Sequence, residues 1–104
     1  MRPTKLNILG IEYDVLYIEK PSDVDVYGRQ SLWGQVDPWT RTIRIYQNGR
    51  NESDINQTIW HEVLHAITGL LHIETITEAK DAEDVIDLLA LAINDFISRN
   101  DFGK

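Results

Sequence analysis

The sequence predicts an α+β fold, in which a small antiparallel or mixed sheet packs on two antiparallel helices. In the first half, apolar residues alternate with polar ones, as Ile43 and Ile45 do within residues 42–46, which is the period of a half-buried strand. In the second half, apolar residues recur three and four positions apart, and this spacing places them on one helical face. At 104 residues without repeats or a linker, the chain is expected to be a single domain, 1–104.

The bulk composition excludes several classes of protein. The chain has no cysteine, so it has no disulfide framework and no thiolate, and any metal must be bound by histidine and carboxylate. A net charge of −7 argues against a nucleic-acid-binding surface. No apolar run has membrane-spanning length and no signal peptide is recognisable, so we expect a cytoplasmic protein without membrane contact.

The elements follow from local patterns. Gly10 separates the first two predicted strands, and Pro38 stands in the turn of a later hairpin. Asp54 and Gln57 predict a capping box at the start of the first helix, and Gly69 predicts its C-terminal cap. A second helix is predicted from about Glu78 to Ser98. The predicted strands are Lys5–Leu9, Ile11–Ile18, Leu32–Asp37 and Thr42–Tyr46.

Residues 61–65 read HEVLH, the HExxH pattern of zinc-dependent hydrolases. In a helix, His61 and His65 lie one above the other and can bind one metal ion. Glu62, about 100° round the helix, can reach a metal-bound water without binding the metal itself. The alternative is that both histidines are polar residues at a helix edge, satisfied by hydrogen bonds. A polar stripe on an otherwise apolar helix favours the metal, because buried polar groups need partners.

A catalytic zinc needs a third protein ligand, which the second helix must supply if it packs on the first. On a helical wheel, Glu83 borders the apolar face and is the best candidate ligand. Asp87 lies one turn further and is the best acceptor for the other N–H of a ligand histidine. Glu78 falls at the helix start, where an acid suits the helix dipole. His72 stands one residue too late for a metzincin pattern, and it remains an alternative third ligand.

The spacing of HEVLH, Glu83 and Asp87 resembles the gluzincin branch of the zincin metallopeptidases, whose glutamate helix carries a ligand Glu and an Asp four residues later. The small size and the segments 32–35, 43–45 and 58–62 resemble compact single-domain zincins, including minigluzincins and ImmA/IrrE-like proteins common in phages and mobile elements. The resemblance covers roughly residues 32–97 and implies a zincin-like fold.

The resemblance also implies roles for individual residues. His61, His65 and Glu83 would bind zinc, Glu62 would be the general base, and Asp87 would hold His61. Residues 42–46 would form the edge strand beside the cleft, where a peptide substrate could add as a further strand. Larger members have a C-terminal subdomain that is not seen in this chain, so the oxyanion-stabilising residue is not identifiable. The candidates for that role are Tyr46, His72 and Arg44.

Three functions are consistent with this pattern. The first is a zinc metallopeptidase that hydrolyses peptide or protein substrates through a zinc-activated water, with Glu62 as the general base. The second is a zinc-bearing binding or regulatory domain, such as a phage accessory protein, with little or no turnover. The third is a metal-free interaction domain in which Trp33 and Trp39 form a contact patch, although aromatic residues more often lie in the core.

Overall fold

A computed structural model of the chain describes residues 2–71 and 82–100, with residues 82–88 and 90 described by their backbone alone. A four-stranded mixed sheet, two α-helices and a short 3-10 helix (Pro21–Asp23) make up this part, so the predicted α+β fold is confirmed. The elements are β1 (Lys5–Ile8), β2 (Ile11–Ile18), β3 (Gly34–Asp37), β4 (Thr42–Tyr46), α1 (Glu52–Leu70) and α2 (Ala82–Arg99).

The sheet has the strand order β1-β2-β4-β3. Two antiparallel pairs, β1 with β2 and β3 with β4, join through a parallel contact between β2 and β4. The first pair is a tight hairpin in which Leu9 and Gly10 both have positive φ, the geometry that such two-residue turns favour.

The prediction that residues 42–46 form an edge strand is wrong, because β4 lies inside the sheet. The long connection after β2 brings the β3–β4 hairpin back so that β4 pairs with β2 along its length, from Asp14 with Thr42 to Ile18 with Tyr46. The edge on this side is therefore β3, and α1 packs against it.

The core lies between one face of the sheet and the helices. Phe96 of α2 is fully buried and meets the ring of Trp60 of α1 edge-on at a centroid distance of 5.3 Å. Asn100 closes the end of α2 against β1, because its side chain exchanges two hydrogen bonds with the main chain of Asn7. Other buried core residues are Leu6, Ile8, Tyr13, Val15, Ile43, Ile45, Ile55, Ile59, Val63 and Ile67.

The predicted start of α1 is wrong, whereas the helix ends at Leu70, one residue after Gly69, near the predicted end. The helix begins at Glu52, and the side chain of Asn51 caps it by accepting a hydrogen bond from the N–H of Asp54 at 2.9 Å. Asparagine is as good an N-cap as aspartate, so the cap forms three residues earlier than predicted. Gly69 lies inside the helix, whose cap residue Leu71 has right-handed backbone angles. The predicted start of the second helix at Glu78 lies outside the described residues.

Candidate metal centre

Helix α1 presents two histidines side by side. The Nε2 atoms of His61 and His65 lie 3.0 Å apart, and the ring planes meet at 74°. Both side chains are exposed, as expected for residues one turn apart on a helix face. At this distance one ring nitrogen donates a hydrogen bond to the other, in a direction that depends on the tautomers, so each histidine has a partner.

The donor pair fits a zinc ion. Two nitrogens that each lie about 2.0–2.1 Å from a tetrahedral zinc are separated by roughly 3.3 Å, close to the observed distance between the two Nε2 atoms. Nitrogen and oxygen donors are the only zinc ligands that a cysteine-free chain can offer. Within residues 2–71 and the described side chains of α2, no third acidic or histidine group completes a metal-binding cluster.

Glu62 lies behind the histidines, between α1 and β3. Its side chain is buried, with 6% exposed, and the main-chain N–H of Val36 faces its carboxyl. Burial raises the pKa of the Glu62 carboxyl above its ordinary value, although the nearby His65 and His61 and the Val36 N–H act in the opposite direction. A buried carboxylate with a raised pKa is a stronger base than a solvated one, which suits proton transfer.

The strand β3 can come this close to Glu62 because residue 34 is glycine. A Cβ added to Gly34 would lie 2.7 Å from Cγ2 of Thr58 and 3.1 Å from Oε2 of Glu62. In the β3–β4 pair, the carbonyl oxygen of Trp33 accepts a hydrogen bond from the N–H of Tyr46. Hydrogen-bonded and non-hydrogen-bonded residue pairs alternate along an antiparallel ladder, so the N–H of Val36, three residues after Trp33, points away from β4. The N–H of Val36 therefore faces Glu62 of α1 and not a neighbouring strand.

A cavity of about 460 Å³ opens beside His61 and Glu62. Trp33 forms one wall of the cavity, and this residue is 65% exposed. The cavity thus joins the motif to the start of α1 and to the residue before β3. The other lining residues are Gly34, Arg50, Asp54, Gln57 and Thr58.

A second cavity, of about 220 Å³, lies on the far side of the motif and includes His65. Apart from this histidine, its walls are predominantly apolar. Two cavities thus flank the motif along α1, one toward each end of the helix. The other residues that line the second cavity are Tyr13, Val36, Pro38, Ala66, Gly69 and Leu70.

The predicted third ligand is not tested by these observations. Glu83 and Asp87 both belong to α2, where a spacing of four residues places them on the same helix face, but their side chains lie outside the described part of the chain. His72 and Glu78 lie outside the described residues altogether. Glu83 therefore stays a prediction, with His72 and Glu78 as its alternatives.

Two candidates for stabilising an oxyanion are misplaced. Arg44 donates to the carbonyl oxygens of Val24 and Asp23, both at 2.7 Å, because its side chain follows the alternation of β4 to the sheet face opposite Ile43 and Ile45. Tyr46 packs its ring against Trp33 and does not line the cavity beside Glu62.

Sequence reasoning missed Gly34 and Arg50, which both line the cavity beside Glu62. The sequence holds no signal for Gly34, because the close approach of strand and helix is a tertiary contact. Arg50 follows Gly49, whose φ is +73°. A glycine turn at this place could have indicated that the chain reverses there and brings Arg50 back to the end of β4.

Comparison with protein-family models, with curated proteins and with solved structures gave no match. Neither helix in the described part is long and apolar enough to cross a membrane. The function is therefore inferred from the residues of the site.

Proposed function

We propose that this protein is a zinc-dependent metallopeptidase of the compact zincin-like kind, with His61, His65 and Glu83 as zinc ligands and Glu62 as the general base. One observation carries the proposal. Two histidine Nε2 atoms lie 3.0 Å apart beside a buried glutamate, at the mouth of a cavity next to an edge strand. The distance suits one metal ion, and the spacing of the residues is that of the HExxH pattern.

The chemistry divides between the metal and the chain. A bound zinc acidifies water and polarises a carbonyl group. Glu62 takes a proton from the attacking water at its carboxylate and delivers it to the leaving amine. The histidines hold the reacting centre beside Glu62. An extended peptide substrate is proposed to lie along β3 and to pair with main-chain groups of this edge strand other than the N–H of Val36, which faces Glu62.

Metal content tests the ligand assignment. Mass spectrometry of the purified wild type should find about one zinc per chain, since structural and catalytic sites of this type bind a single ion. His65→Ala and Glu83→Ala should both lose the zinc. His72→Ala and Glu78→Ala are the matched controls and should retain it. A wild type that stays free of zinc after incubation with the metal would overturn the proposal.

Substitution of the base tests hydrolysis separately from metal binding. Glu62→Gln keeps the size of the side chain but removes its basicity, so it should retain zinc and abolish peptide cleavage. Glu52→Gln, at the far end of the same helix, should retain both. Full activity in Glu62→Gln would refute the role of Glu62 while leaving the metal site intact.

A zinc-bearing binding domain without turnover is the second candidate function. It is favoured by the main-chain N–H of Val36, which faces the Glu62 carboxyl and lowers its pKa against the effect of burial, because a carboxylate stabilised in this way is less available to take a proton. A zinc-loaded protein that cleaves no member of a diverse peptide library would support this candidate. Clear turnover that depends on Glu62 would exclude it.

A further inference from the structure

The cavity beside Glu62 contains a cation, Arg50, whose hydrogen-bonding capacity is only partly used. Its Nη1 donates to the carbonyl oxygen of Tyr46 at 2.8 Å. Its Nη2 donates to the carbonyl oxygen of Asp54 at 3.1 Å and to Oγ1 of Thr58 at 2.7 Å. A guanidinium has five N–H groups, so about two remain, and the buried Nε is without a partner within the described part of the chain.

The charge of Arg50 is also without a counter-ion in that part. Its three partners are neutral oxygens, and the ion pairs among the described residues involve Arg2, Lys5, Arg29 and Arg99 instead. A cation in a partly buried position without an opposite charge favours an anionic ligand, because its desolvation is otherwise uncompensated.

Trp33 fixes the orientation of this cation. The guanidinium carbon of Arg50 lies 4.4 Å from the centre of a Trp33 ring. Stacking on an aromatic face holds the plane of a guanidinium. Of the two N–H groups that remain, the one on Nε is buried, so the second N–H of Nη1 is the group left for a charge-assisted contact with a carboxylate. An exposed tryptophan that orients an arginine in a cavity is the arrangement expected of a ligand-binding wall.

The distance between Arg50 and Glu62 along α1 indicates which part of a bound peptide would lie beside Arg50. Thr58, which accepts from Arg50, is one helical turn from Glu62. Four residues at 1.5 Å each amount to roughly 6 Å along the helix axis. An extended peptide covers this length in about two residues, at roughly 3.3 Å per residue. A ligand with its reacting bond at Glu62 therefore places a group about two residues away beside Arg50.

We propose that Arg50, held against Trp33, is a specificity-determining residue that binds a carboxylate of the peptide substrate about two residues from the reacting bond. The inference rests on the proposed function and deepens it, because it names peptides with a carboxylate near the cleavage site as the substrate class. The carboxylate belongs either to the C-terminus of the peptide or to an acidic side chain. Asp54 lines the same cavity and weakens the attraction by its own charge.

Four peptides test the preference by equilibrium binding to zinc-loaded Glu62→Gln protein, in which turnover does not interfere. The first pair is acetyl-capped tetra-alanine with a free carboxylate and the same peptide with a terminal amide. The second pair is capped and amidated penta-alanine with one central glutamate and the same peptide with glutamine. The carboxylate member of at least one pair should bind about tenfold more tightly, as expected for charge-assisted hydrogen bonds. The pair that discriminates identifies the source of the carboxylate.

Two variants of Arg50 and one of Asp54 test whether Arg50 causes the preference for a carboxylate. Arg50→Gln should reduce the discrimination within that pair to about onefold, and Arg50→Lys should leave it intermediate, because lysine keeps the charge without the planar fork. Asp54→Asn should increase the discrimination a few-fold by removing a like charge. An increase of this kind cannot result from misfolding, so the proposal stays testable if the Arg50 variants are unstable.

Equal binding within both pairs, undetectable binding of all four peptides, or a preference unchanged in folded Arg50→Gln overturns the inference. The same four titrations are repeated with metal-free protein, and zinc content is measured on every sample. Failure of the zinc site is thereby seen directly and separately. A carboxylate preference that depends on Arg50 in metal-free protein supports the inference even when the zinc site fails.

Discussion

Gly34 and Thr58 lie so close that a Cβ on the glycine would be 2.7 Å from Cγ2 of the threonine. This contact sets the distance between β3 and α1, and with it the depth at which Glu62 is buried. A Cβ at the same place would also lie 3.1 Å from Oε2 of Glu62. The smallest residue therefore stands where the edge strand passes the proposed base.

Gly34→Ala should destabilise the protein, because β3 must move away from α1 to accommodate the methyl group. Overpacking of this type typically costs about 1–3 kcal/mol. Urea unfolding at pH 7 measures the cost as a lower midpoint. We expect the displaced strand to increase the exposure of Glu62 as well.

Gly69→Ala is the matched control, since a Cβ at Gly69 would meet no heavy atom within 4 Å. Gly69 lies inside α1, where alanine is favoured over glycine by roughly 0.5–1 kcal/mol. This variant should therefore raise the urea midpoint. If both alanine variants change stability equally, the close packing of Gly34 is not what fixes the strand.

Glu62→Gln should stabilise the metal-free protein at pH 7. Burial raises the pKa of Glu62, so its ionised form disfavours folding, and the neutral amide avoids this cost. The gain should be on the order of 1 kcal/mol, or about 4–8 °C in Tm for a chain of this size. Because the folded state binds the proton more tightly, the advantage should shrink as the pH falls toward 4.

Glu52→Gln, near the start of the same helix, should have the opposite sign. The hydrogen bonds from Arg2 lower the pKa of Glu52, so its ionised form favours folding. Thermal unfolding of both variants at pH 7 makes the comparison. If both variants shift Tm in the same direction, the assignment of a burial cost to Glu62 is contradicted.

Asp25 should make the stability of the protein sensitive to acid. Its buried carboxylate accepts hydrogen bonds from Nε2 of Gln35, from the N–H of Tyr27 and from Arg29. These partners lower its pKa to about 2, against an ordinary value of about 3.9. The resulting stability is present above pH 4 and is lost as the pH falls through 2.

The comparison of wild type with Asp25→Asn isolates this contribution. The difference between their urea midpoints should be largest at pH 5–7 and should narrow between about pH 4 and pH 2. Asp95→Asn serves as the control, because its i,i+4 pair with Arg99 is solvent-accessible and pairs of this type contribute little. A constant difference for Asp25→Asn over this pH range would rule out an ionised Asp25 as the group responsible.

Local patterns predicted the elements of this fold but not their arrangement. Alternation fixed the core-facing positions of β4, since Ile43 and Ile45 are fully buried. The order of the strands depends on how the connection after β2 returns, and no local pattern encodes that path. The N-cap was misassigned for a similar reason, because Asn51 and Asp54 are comparable caps by type and only the packing of the helix decides between them.

The motif residues were predictable because their spacing is a property of one helix. His61 and His65 are four positions apart, and any α-helix places such residues side by side. The partners of Glu62 were not predictable, because Val36 and Gly34 approach it from another element. The same holds for Arg50, whose position in the cavity depends on β4, α1 and the stack on Trp33.

Arg44 and Arg50 are similar by sequence but should behave differently when substituted. Arg44 holds the segment at Asp23 and Val24 against the outer face of the sheet through two charge-assisted hydrogen bonds. Arg44→Ala should therefore lower the free energy of unfolding by about 1–3 kcal/mol but leave zinc content and kcat per folded molecule unchanged. Arg50→Gln should instead change which peptides bind. A fall in kcat for Arg44→Ala at unchanged stability would place Arg44 in the reaction and contradict its position behind the sheet.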